Sequence, residues 1–413
     1  MNIAIIGGGT AGAAAALFLA RDGHKVTLHE RVATPSPVGA GLLIQPTGMA
    51  VLQALGLLDG ILAKGAHIDQ LYGTSHTGRV VMDLRYSDWR ATAFGLGLHR
   101  GVLFNALWRA LGPQGVEVRT GSDVTQMDDR GTSVMLRSAA GDLGSYDLVV
   151  LADGTRSALR EQLGIAHRAK PYPWGAVWAV LPDPQQNYRG CLRQWYRRAG
   201  QMLGVMPTGA GPANELPVVS MFWSLRADRL ATWRAMGLAA WKREVADLAP
   251  ETRNLLAHIG SAEQMTWANY SDVVMRQWHR GRVVVIGDCA HAMSPQLGQG
   301  ANLALIDAQT LAASLRTESD PALALKHYSR TRRAHLRYYQ LASRWLTPVY
   351  QSDHTLIPWL RDGLTNLTCK LPFARGQMLD TLAGVKAGVL FGKYAGTHAP
   401  EYAPPSEPVI RLL

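Results

Sequence analysis

Glycines and acidic residues that follow short apolar runs are the residues of this chain best suited to nucleotide chemistry. Gly7, Gly9 and Gly12 follow the apolar run 3–6 and precede a helix pattern rich in small residues. Gly7 permits a tight turn, Gly9 lets a pyrophosphate approach the backbone, and Gly12 lets the helix lie close to the sheet. The N–H groups and positive dipole at the start of that helix would attract phosphate.

Glu30 completes this pattern. A second apolar run, 25–28, leads to Glu30, whose carboxylate is placed to accept hydrogen bonds from a ribose. The glycines alone would also fit an ordinary strand-to-helix turn, so the order of strand, turn, helix, strand and acid carries the argument. The first thirty residues therefore predict a dinucleotide-binding unit.

A second group of such residues lies near position 290. Gly287 and Asp288 follow an apolar strand pattern, and a loop then leads into another helix pattern with Pro295, Gly298, Gly300 and Asn302. An aspartate at a strand tip can hold a sugar-like chain, and a glycine loop that opens a helix offers N–H groups to an anion. These features suit a flavin, with Asp288 on a ribityl hydroxyl and the N–H groups of 300–302 on the pyrimidine edge. That edge becomes negative on reduction, which the helix dipole favours.

The elements that position these residues predict an α/β fold. We expect a Rossmann-type FAD-binding domain interrupted by a mostly antiparallel β-sheet substrate domain, with a helical C-terminal region. Several strand patterns and seven of the twelve tryptophans fall within 172–276. The predicted FAD-binding domain comprises 1–70, 98–171 and 277–320, the substrate-binding domain 71–97 and 172–276, and the helical region 321–413.

Composition narrows the class of protein. The 413 residues carry a net charge of +11, but the basic residues are scattered and show no nucleic-acid motif. The charge could attract anionic cofactors, acidic substrates, an acidic carrier protein or a membrane surface. No apolar run reaches the ~18 residues of a membrane helix. The three cysteines lack disulfide or metal spacing, and the first apolar run is too short for a signal peptide. We expect a cytoplasmic protein, monomeric or homodimeric, with no metal, no nucleic-acid partner and no transmembrane segment.

Three motifs together resemble the single-component FAD-dependent aromatic hydroxylases, the group A flavoprotein monooxygenases of the p-hydroxybenzoate hydroxylase type. They are GGGTAG with Glu30, then Asp153-Gly154, and then Gly287-Asp288 followed by His291, Pro295, Gly298-Gln299-Gly300, Asn302 and Asp307. The motifs occur in the family's order and at similar spacing over roughly 1–315. They are specific to the family and give almost no information about the substrate.

The resemblance implies a set of cofactor residues for non-covalent FAD. Glu30 would bind the adenosine ribose, the Val124 backbone would meet adenine, and Arg100 would reach the phosphate or ribityl region. Asp153 and Gly154 would serve FAD and also NADPH or NADH, the transient reductant. The full implied set is Gly7, Gly9, Thr10, Ala11, Gly12, Glu30, Arg31, Gln45, Arg100, Val124, Asp153, Gly154, Asp288, Pro295, Gly298, Gly300, Ala301 and Asn302.

Several of these residues also have plainer interpretations. Arg100 could be a charge on a helix surface, Asp153 could cap the following turn, and His291 is interpreted as structural. The basic run 326–344 is interpreted as a solvated helix face rather than a binding site. No residue is singled out as a catalytic acid or base.

Substrate residues are less defined. Strand alternation leaves two choices for 191–197: Arg193 and Trp195 face inward, or Gln194 and Tyr196 do. Comparison with the family hairpin favours the first choice, which gives Arg193, Trp195, Leu203, Trp223 and Pro295 as candidate substrate contacts. Tryptophans in a sheet, however, are more often core than ligand-binding.

Three functions are compatible with these observations. The favoured hypothesis is an NAD(P)H-consuming monooxygenase, which would hydroxylate an aromatic or similarly electron-rich small molecule with O₂ through a flavin C4a-hydroperoxide. The second is an FAD-dependent dehydrogenase or reductase without oxygen transfer. The third, a non-catalytic flavoprotein that binds a partner through its basic surface, is disfavoured because a binding module needs no loop shaped to the flavin ring.

Overall fold

The computed structural model describes residues 1–36, 39–212, 216–354, 356–358, 361–363, 368, 371–389 and 391–394. The described strands, numbered along the chain, are β1 (Asn2–Ile6), β2 (Lys25–Glu30), β3 (Gly41–Ile44), β4 (Ala66–Ser75), β5 (Val80–Arg85), β6 (Gly95–His99), β7 (Glu117–Thr120), β8 (Gln126–Asp129), β9 (Val134–Ser138), β10 (Gly141–Tyr146), β11 (Leu148–Leu151), β12 (His167–Pro182), β13 (Gly190–Arg197), β14 (Gln201–Ala210), β15 (Pro217–Arg226), β16 (Thr266–Met275), β17 (His279–Arg280) and β18 (Val283–Val285). The described α-helices are α1 (Thr10–Arg21), α2 (Pro46–Ala54), α3 (Leu58–Leu62), α4 (Arg100–Leu111), α5 (Leu159–Gln162), α6 (Leu230–Met236), α7 (Leu238–Leu248), α8 (Arg253–Ala257), α9 (Asp288–His291), α10 (Gly300–Thr317), α11 (Pro321–Tyr350) and α12 (Pro372–Ala383).

A six-stranded sheet in the order β17-β18-β11-β1-β2-β7 forms the first layer. The neighbours from β18 to β7 pair in parallel, and the short β17 pairs antiparallel with β18. Parallel strands are covered on both faces, which explains the continuous apolar runs in β1, β11 and β18. Because the carboxyl ends of parallel strands meet at one edge, the residues that follow β1, β2, β11 and β18 are brought together.

Helices α1 and α10 pack against this sheet and against each other. The alanines of α1 are buried and allow close approach, as the small-residue pattern predicted. Helix α11 begins at Pro321, and the Asp320 carboxylate accepts a hydrogen bond from Ala322 N at 2.9 Å, a typical helix start. The predicted Rossmann-type layer is confirmed.

A nine-stranded sheet forms the second layer, in the order β16-β12-β15-β14-β13-β4-β6-β3, with β5 paired to β4. Its described pairs are antiparallel except β4 with β13, which confirms the mostly antiparallel prediction. Strands β3 to β6 fall within residues 41–99, so this stretch contributes more of the sheet than the predicted segment 71–97. The domain bounds remain a prediction.

The two faces of the nine-stranded sheet are covered differently. Its outer face, defined by Trp195, Leu203 and Trp223, packs against α6, α7 and α8. Its inner face, defined by Tyr196, Met206 and Phe222, packs against residues of α12 and β3. Among the helices of the described residues, none combines the length and the apolar composition that a membrane crossing requires.

Candidate functional site

The turn between β1 and α1 can be built only with glycine at two positions. Gly7 has φ of +102°, and a Cβ there would lie 2.5 Å from the Ala152 oxygen. A Cβ on Gly12 would lie 1.9 Å from the Gly7 oxygen, so no side chain fits. A Cβ on Gly9 would meet nothing within 4 Å, which leaves its backbone open to a ligand. Thr10 begins α1, and the buried Ala11 packs against Gly287.

Glu30, at the end of β2, braces the same turn. Its carboxylate oxygens accept hydrogen bonds from Gly8 N and Val32 N, both at 2.9 Å. Trp108 Nε1 donates to the Gly8 oxygen at 2.8 Å, so both backbone polar groups of Gly8 are fixed. Arg31 is exposed beside Glu30, and Val124 is buried in the adjoining core.

Asp153 and Gly154 follow β11 at the same edge of the sheet. Gly154 has φ of +87°, which turns the chain sharply. Asp153 Oδ1 is buried without a hydrogen-bond partner among the described residues, and burial raises the pKa of Asp153. Such an orphaned acceptor is rare in a protein interior and is consistent with a ligand that completes the site.

Arg160, which the sequence analysis did not single out, links this turn to the turn after β18. Its guanidinium donates to the Cys289 oxygen at 2.9 Å and to the Thr155 oxygen at 3.1 Å. The Ser157 hydroxyl, two residues before the short helix α5, accepts from Arg160 N at 3.0 Å. The run DGTRSALR contained this arginine, but its distant partner could not be read from the sequence.

Asp288 is exposed at the carboxyl end of β18, directly after Gly287, which has φ of +62°. The Gly287 N–H donates to Asp307 Oδ2 at 2.9 Å, so the buried carboxylate of Asp307 on α10 fixes this turn. The Asp288 side chain lies beside the start of α10, since its Oδ1 would be 3.9 Å from a Cβ on Gly300. It is therefore available to a ligand at the sheet edge.

The Pro295–Asn302 loop ends in helix α10 and is fastened to the corner between β3 and α2. Asn302 is fully buried, and its Oδ1 accepts from Gln45 N at 2.8 Å. Its Nδ2 donates to the oxygens of Leu43 and Gly298 at 3.1 and 3.0 Å. The Asn302 side chain is therefore part of the scaffold. Only the N–H groups at the start of α10, including those of Gly300 and Ala301, remain for a flavin ring.

Gln45 supplies a second orphaned polar group in this region. Its Oε1 accepts from the Tyr86 hydroxyl at 2.7 Å, while its buried Nε2 has no hydrogen-bond partner among the described residues. The orphaned atoms of Gln45 and Asp153 both lie at residues implied to bind FAD. The chain therefore fits the cofactor that its motifs predict.

Arg100 is the exposed first residue of α4, at the end of β6. Its N–H donates to the Ala40 oxygen at 3.0 Å, and its side chain lies alongside Gly39. The His99 ring nitrogen Nδ1 accepts from Gly101 N at 3.0 Å and caps the helix. This arrangement holds an exposed cation close to the start of β3.

A buried charge network lies behind the Pro295–Asn302 loop. Asp307 bonds to His291 Nε2 at 2.5 Å and to Arg332 Nε at 2.7 Å, and these side chains are almost completely buried. Burial would raise the pKa of Asp307, but the charges of His291 and Arg332 hold it well below its usual value. Arg332 also contacts His335, whose Nε2 lies 2.8 Å from the Gly384 oxygen. The network thus connects the turn after β18 to α11 and to the residue after α12.

The candidate substrate residues lie on the outer face of the nine-stranded sheet. Trp195 Nε1 donates to Glu251 Oε1 at 2.8 Å, and Trp223 lies edge-to-face with Trp241 at 6.5 Å. Leu203 pairs with Trp195 on one side and with Trp223 on the other, and Arg193 lies two residues before Trp195 on the same face. Trp195, Leu203 and Trp223 are buried under α6, α7 and α8, whereas the Arg193 side chain remains 38% exposed, and the structure does not bring these four residues together with Pro295.

The inner face is the one directed toward the Pro295–Asn302 loop. Gln351 Nε2 donates to the Ser224 hydroxyl at 3.0 Å, and Gln296 Nε2 donates to Gln351 Oε1 at 2.7 Å. A Cβ on Gly41 would lie 2.9 Å from the end of the Met206 side chain. The choice of Arg193 and Trp195 as inward residues of β13 was therefore wrong, and Gln194 and Tyr196 occupy that face.

Comparisons with known proteins agree with this geometry. Residues 1–340 match the family described as FAD binding domain. The chain is 29% identical to a 6-hydroxynicotinate 3-monooxygenase from Pseudomonas fluorescens, covering 81% of this chain and 88% of that protein. It is 30% identical to a putative 2-heptyl-3-hydroxy-4(1H)-quinolone synthase from Rhodococcus erythropolis, covering 83% and 86%.

Solved structures share the fold. The structure of Klebsiella pneumoniae HpxO complexed with FAD and uric acid superposes with a TM-score of 0.78 at 22% identity, covering 93% of this chain and 97% of the other. The tetrameric form of 2-methyl-3-hydroxypyridine-5-carboxylic acid oxygenase gives 0.76 at 21% identity, covering 96% and 99%.

Proposed function

Since the chain belongs to the FAD binding domain family and is an FAD-dependent monooxygenase, we propose that it hydroxylates an aromatic small molecule with O₂, using NADPH or NADH as reductant. The observation that carries this proposal is the convergence of four strand ends, with the three motifs that follow them, at one sheet edge. The residues after β1, β2, β11 and β18 lie there, next to the loop that opens α10. When bound, the flavin supplies the redox chemistry, including oxygen activation.

The chain's own residues would bind and orient the cofactor. We assign the pyrophosphate to the turn Gly7–Gly12 and the N-terminus of α1, where free N–H groups and a positive dipole favour anions. Glu30 would lie at the adenosine end, although its carboxylate also braces Gly8. Asp288, exposed at the end of β18, would take the ribityl chain. Arg100 would contribute a positive charge beside the cofactor.

The N-terminus of α10 has an electrostatic role in this proposal. A reduced flavin carries negative charge at its pyrimidine edge, and the N–H groups of Gly300 and Ala301 would stabilise it. The Asn302 side chain does not take part directly, because its three hydrogen bonds fix the loop to Leu43, Gln45 and Gly298. It would act by holding the donors in place before the ligand arrives.

The substrate would lie between the flavin loop and the inner face of the nine-stranded sheet. Phe222 and Met206 offer an apolar surface there, and Met378 and Leu379 of α12 face it from the same hydrophobic cluster. Such a lining would exclude water from the reacting atoms and position a flat ring. We propose Met206 and Phe222, with Pro295, as residues that contact the ring of the substrate.

The proposal is tested with the FAD-loaded protein and a panel of phenols, hydroxypyridines and quinolones. NADPH and NADH consumption is followed together with O₂ uptake and peroxide formation, and the product is analysed after reaction in ¹⁸O₂. We expect one labelled oxygen atom in the product and little peroxide with a true substrate. A product that forms without label would instead identify a dehydrogenase or reductase.

A further inference from the structure

The inner face of the nine-stranded sheet presents uncharged side chains to the space beside the flavin loop. Strand register places one row of residues on this face, namely Trp178, Gln194, Tyr196, Met202, Met206, Ser220, Phe222 and Ser224. Leu43, Met378 and Leu379 belong to the same cluster. Arg226 lies at the end of the row, where Asp228 and Asp353 pair with it.

The arginines of β13 do not add a positive charge to the inner face. Arg193 and Arg197 project from the opposite side of the strand, where they lie within ion-pairing distance of Glu251 and Asp247. Arg361 is buried next to Asp362. Arg100 is assigned above to the cofactor. A carboxylate bound against the inner face would therefore lose its hydration without gaining a cation, which costs several kcal/mol.

Gln194 supplies a polar group in this apolar lining. Its Oε1 accepts a hydrogen bond from the Tyr196 hydroxyl at 3.0 Å. Its Nε2 has a thioether, Met202 Sδ at 3.8 Å, as its partner in the described part of the chain. A thioether is a weak acceptor, and an amide nitrogen carries two N–H groups. Gln194 is only half-buried, so at least one strong donor remains for a ligand.

The orientation of this amide is fixed by its neighbours. Tyr196 is buried, and burial raises the pKa of its hydroxyl well above the usual value, so the hydroxyl remains a donor. The Arg361 guanidinium lies 4.6 Å from the Tyr196 ring and donates to the Arg198 oxygen at 3.0 Å. The Tyr350 ring lies 5.5 Å away on the same cluster. Because Tyr196 occupies the amide oxygen, the amide nitrogen is the end left for a ligand.

Building on the proposed function, we propose that the substrate is an uncharged aromatic ring with a hydroxyl or oxo group, and that Gln194 Nε2 donates a hydrogen bond to that oxygen. Gln194 is then a specificity-determining residue, and Tyr196 with Arg361 positions it. The apolar side chains of the inner face contact the ring itself.

The charge of the substrate is tested with matched compounds. 2-Hydroxypyridine and 6-hydroxynicotinate differ only by a carboxylate, as do 4-hydroxyquinoline and 4-hydroxyquinoline-2-carboxylate. Kd values are measured from the flavin absorbance change of the FAD-loaded enzyme. We expect at least one neutral compound to bind at least ~10-fold more tightly than its acid, which is about 1.4 kcal/mol. Equal or tighter binding of the acids, or no binding by either neutral compound, overturns the proposal.

The hydrogen bond is tested by comparing 4-hydroxyquinoline with quinoline, which lacks the oxygen. In the unaltered enzyme we expect the oxygenated compound to bind several-fold more tightly, as one neutral hydrogen bond allows. Gln194→Leu should abolish this preference, and Tyr196→Phe should reduce it. Gln201→Leu, on the opposite face of neighbouring β14, is the control and should leave it unchanged.

These results separate the inference from the function it rests on. An unchanged preference in Gln194→Leu refutes the role of Gln194, because a purely structural effect would weaken both ligands equally. If the enzyme still incorporates ¹⁸O into a substrate that binds independently of Gln194, the monooxygenase activity stands and the inference fails. If no oxygen is incorporated into any compound of the panel, the proposed function fails instead.

Discussion

Replacing Asn302 with alanine should separate the flavin loop from the β3–α2 corner. The substitution removes three hydrogen bonds in a completely buried position. The Gln45 N–H would lose its partner, at a cost of about 1–3 kcal/mol, and two carbonyl oxygens would each lose about 0.5–1.5 kcal/mol. The sum is about 2–6 kcal/mol of unfolding free energy. At about 1 °C per kcal/mol for a chain of 413 residues, the melting temperature of the apoprotein should fall by at least ~2 °C.

The same change should weaken FAD binding, because the N–H groups of α10 would no longer be held in place before the cofactor arrives. A tenfold rise in Kd corresponds to about 1.4 kcal/mol and is the smallest effect we expect. Thermal unfolding of the apoprotein and fluorescence titration with FAD measure the two quantities. Asn302→Asp keeps the acceptor for Gln45 N but turns an oxygen toward two carbonyl groups. Its losses of stability and of FAD affinity should therefore be at least as large as those of Asn302→Ala.

Gln309→Ala is the matched control, since it truncates a half-buried amide in the same helix. The control should retain both the stability and the FAD affinity of the unaltered protein. If Asn302→Ala behaves like the control, Asn302 does not hold the loop and the reasoning is refuted.

Three further changes test other parts of the site. Asp288→Ala should weaken FAD binding ten- to a hundredfold through loss of about 1–3 kcal/mol, and an unaltered Kd in apoprotein titration would contradict the ribityl contact. Arg332→Met should lower the unfolding free energy by about 3–5 kcal/mol, because it removes the charged partner of Oδ1 of the fully buried Asp307. The double variant with Asp307→Asn should recover part of this loss in thermal unfolding, and purely additive losses would argue against the pair. Burial and the nearby charge of Arg119 lower the pKa of His29 from 6.5 to about 4, so the unfolded chain binds more protons between these values. Stability present above pH 6.5, about 3 kcal/mol, should be lost as pH falls to about 4, whereas His29→Gln should show a flatter profile. Parallel pH profiles of stability for the unaltered protein and His29→Gln would exclude this role of His29.

Local patterns were sufficient to predict the cofactor half of the molecule. The roles of Gly7 and Gly12 depend on a turn between neighbouring elements, and such turns leave their pattern in a few consecutive residues. The position of Asp288 followed from the apolar strand before it. In each case the residues that determine the structure are close together in the sequence, so the local pattern was enough to predict it.

The substrate half could not be predicted in the same way. Strand alternation gives two faces, and the face that Trp195 occupies is decided by α6 to α8, which begin more than thirty residues later. Arg332 illustrates the same limit. It lies in a helix rich in arginines that was interpreted as solvated, yet it is fully buried because Asp307, on another helix, pairs with it. Both cases depend on contacts between distant segments.

The contact between Gln299 and the end of α12 has a consequence for how the protein is made. Gln299 Nε2 donates to the oxygens of Thr381 and Leu382, so the support of the flavin loop emerges from the ribosome long after Gly7 and Gly12. N-terminal segments fold first during synthesis, but here the nascent chain has an incomplete binding site until α12 is available. We therefore expect cofactor loading to follow translation. A chain truncated after Tyr350 should quench the fluorescence of added FAD far less than the full chain, and equal quenching would show that the site forms earlier.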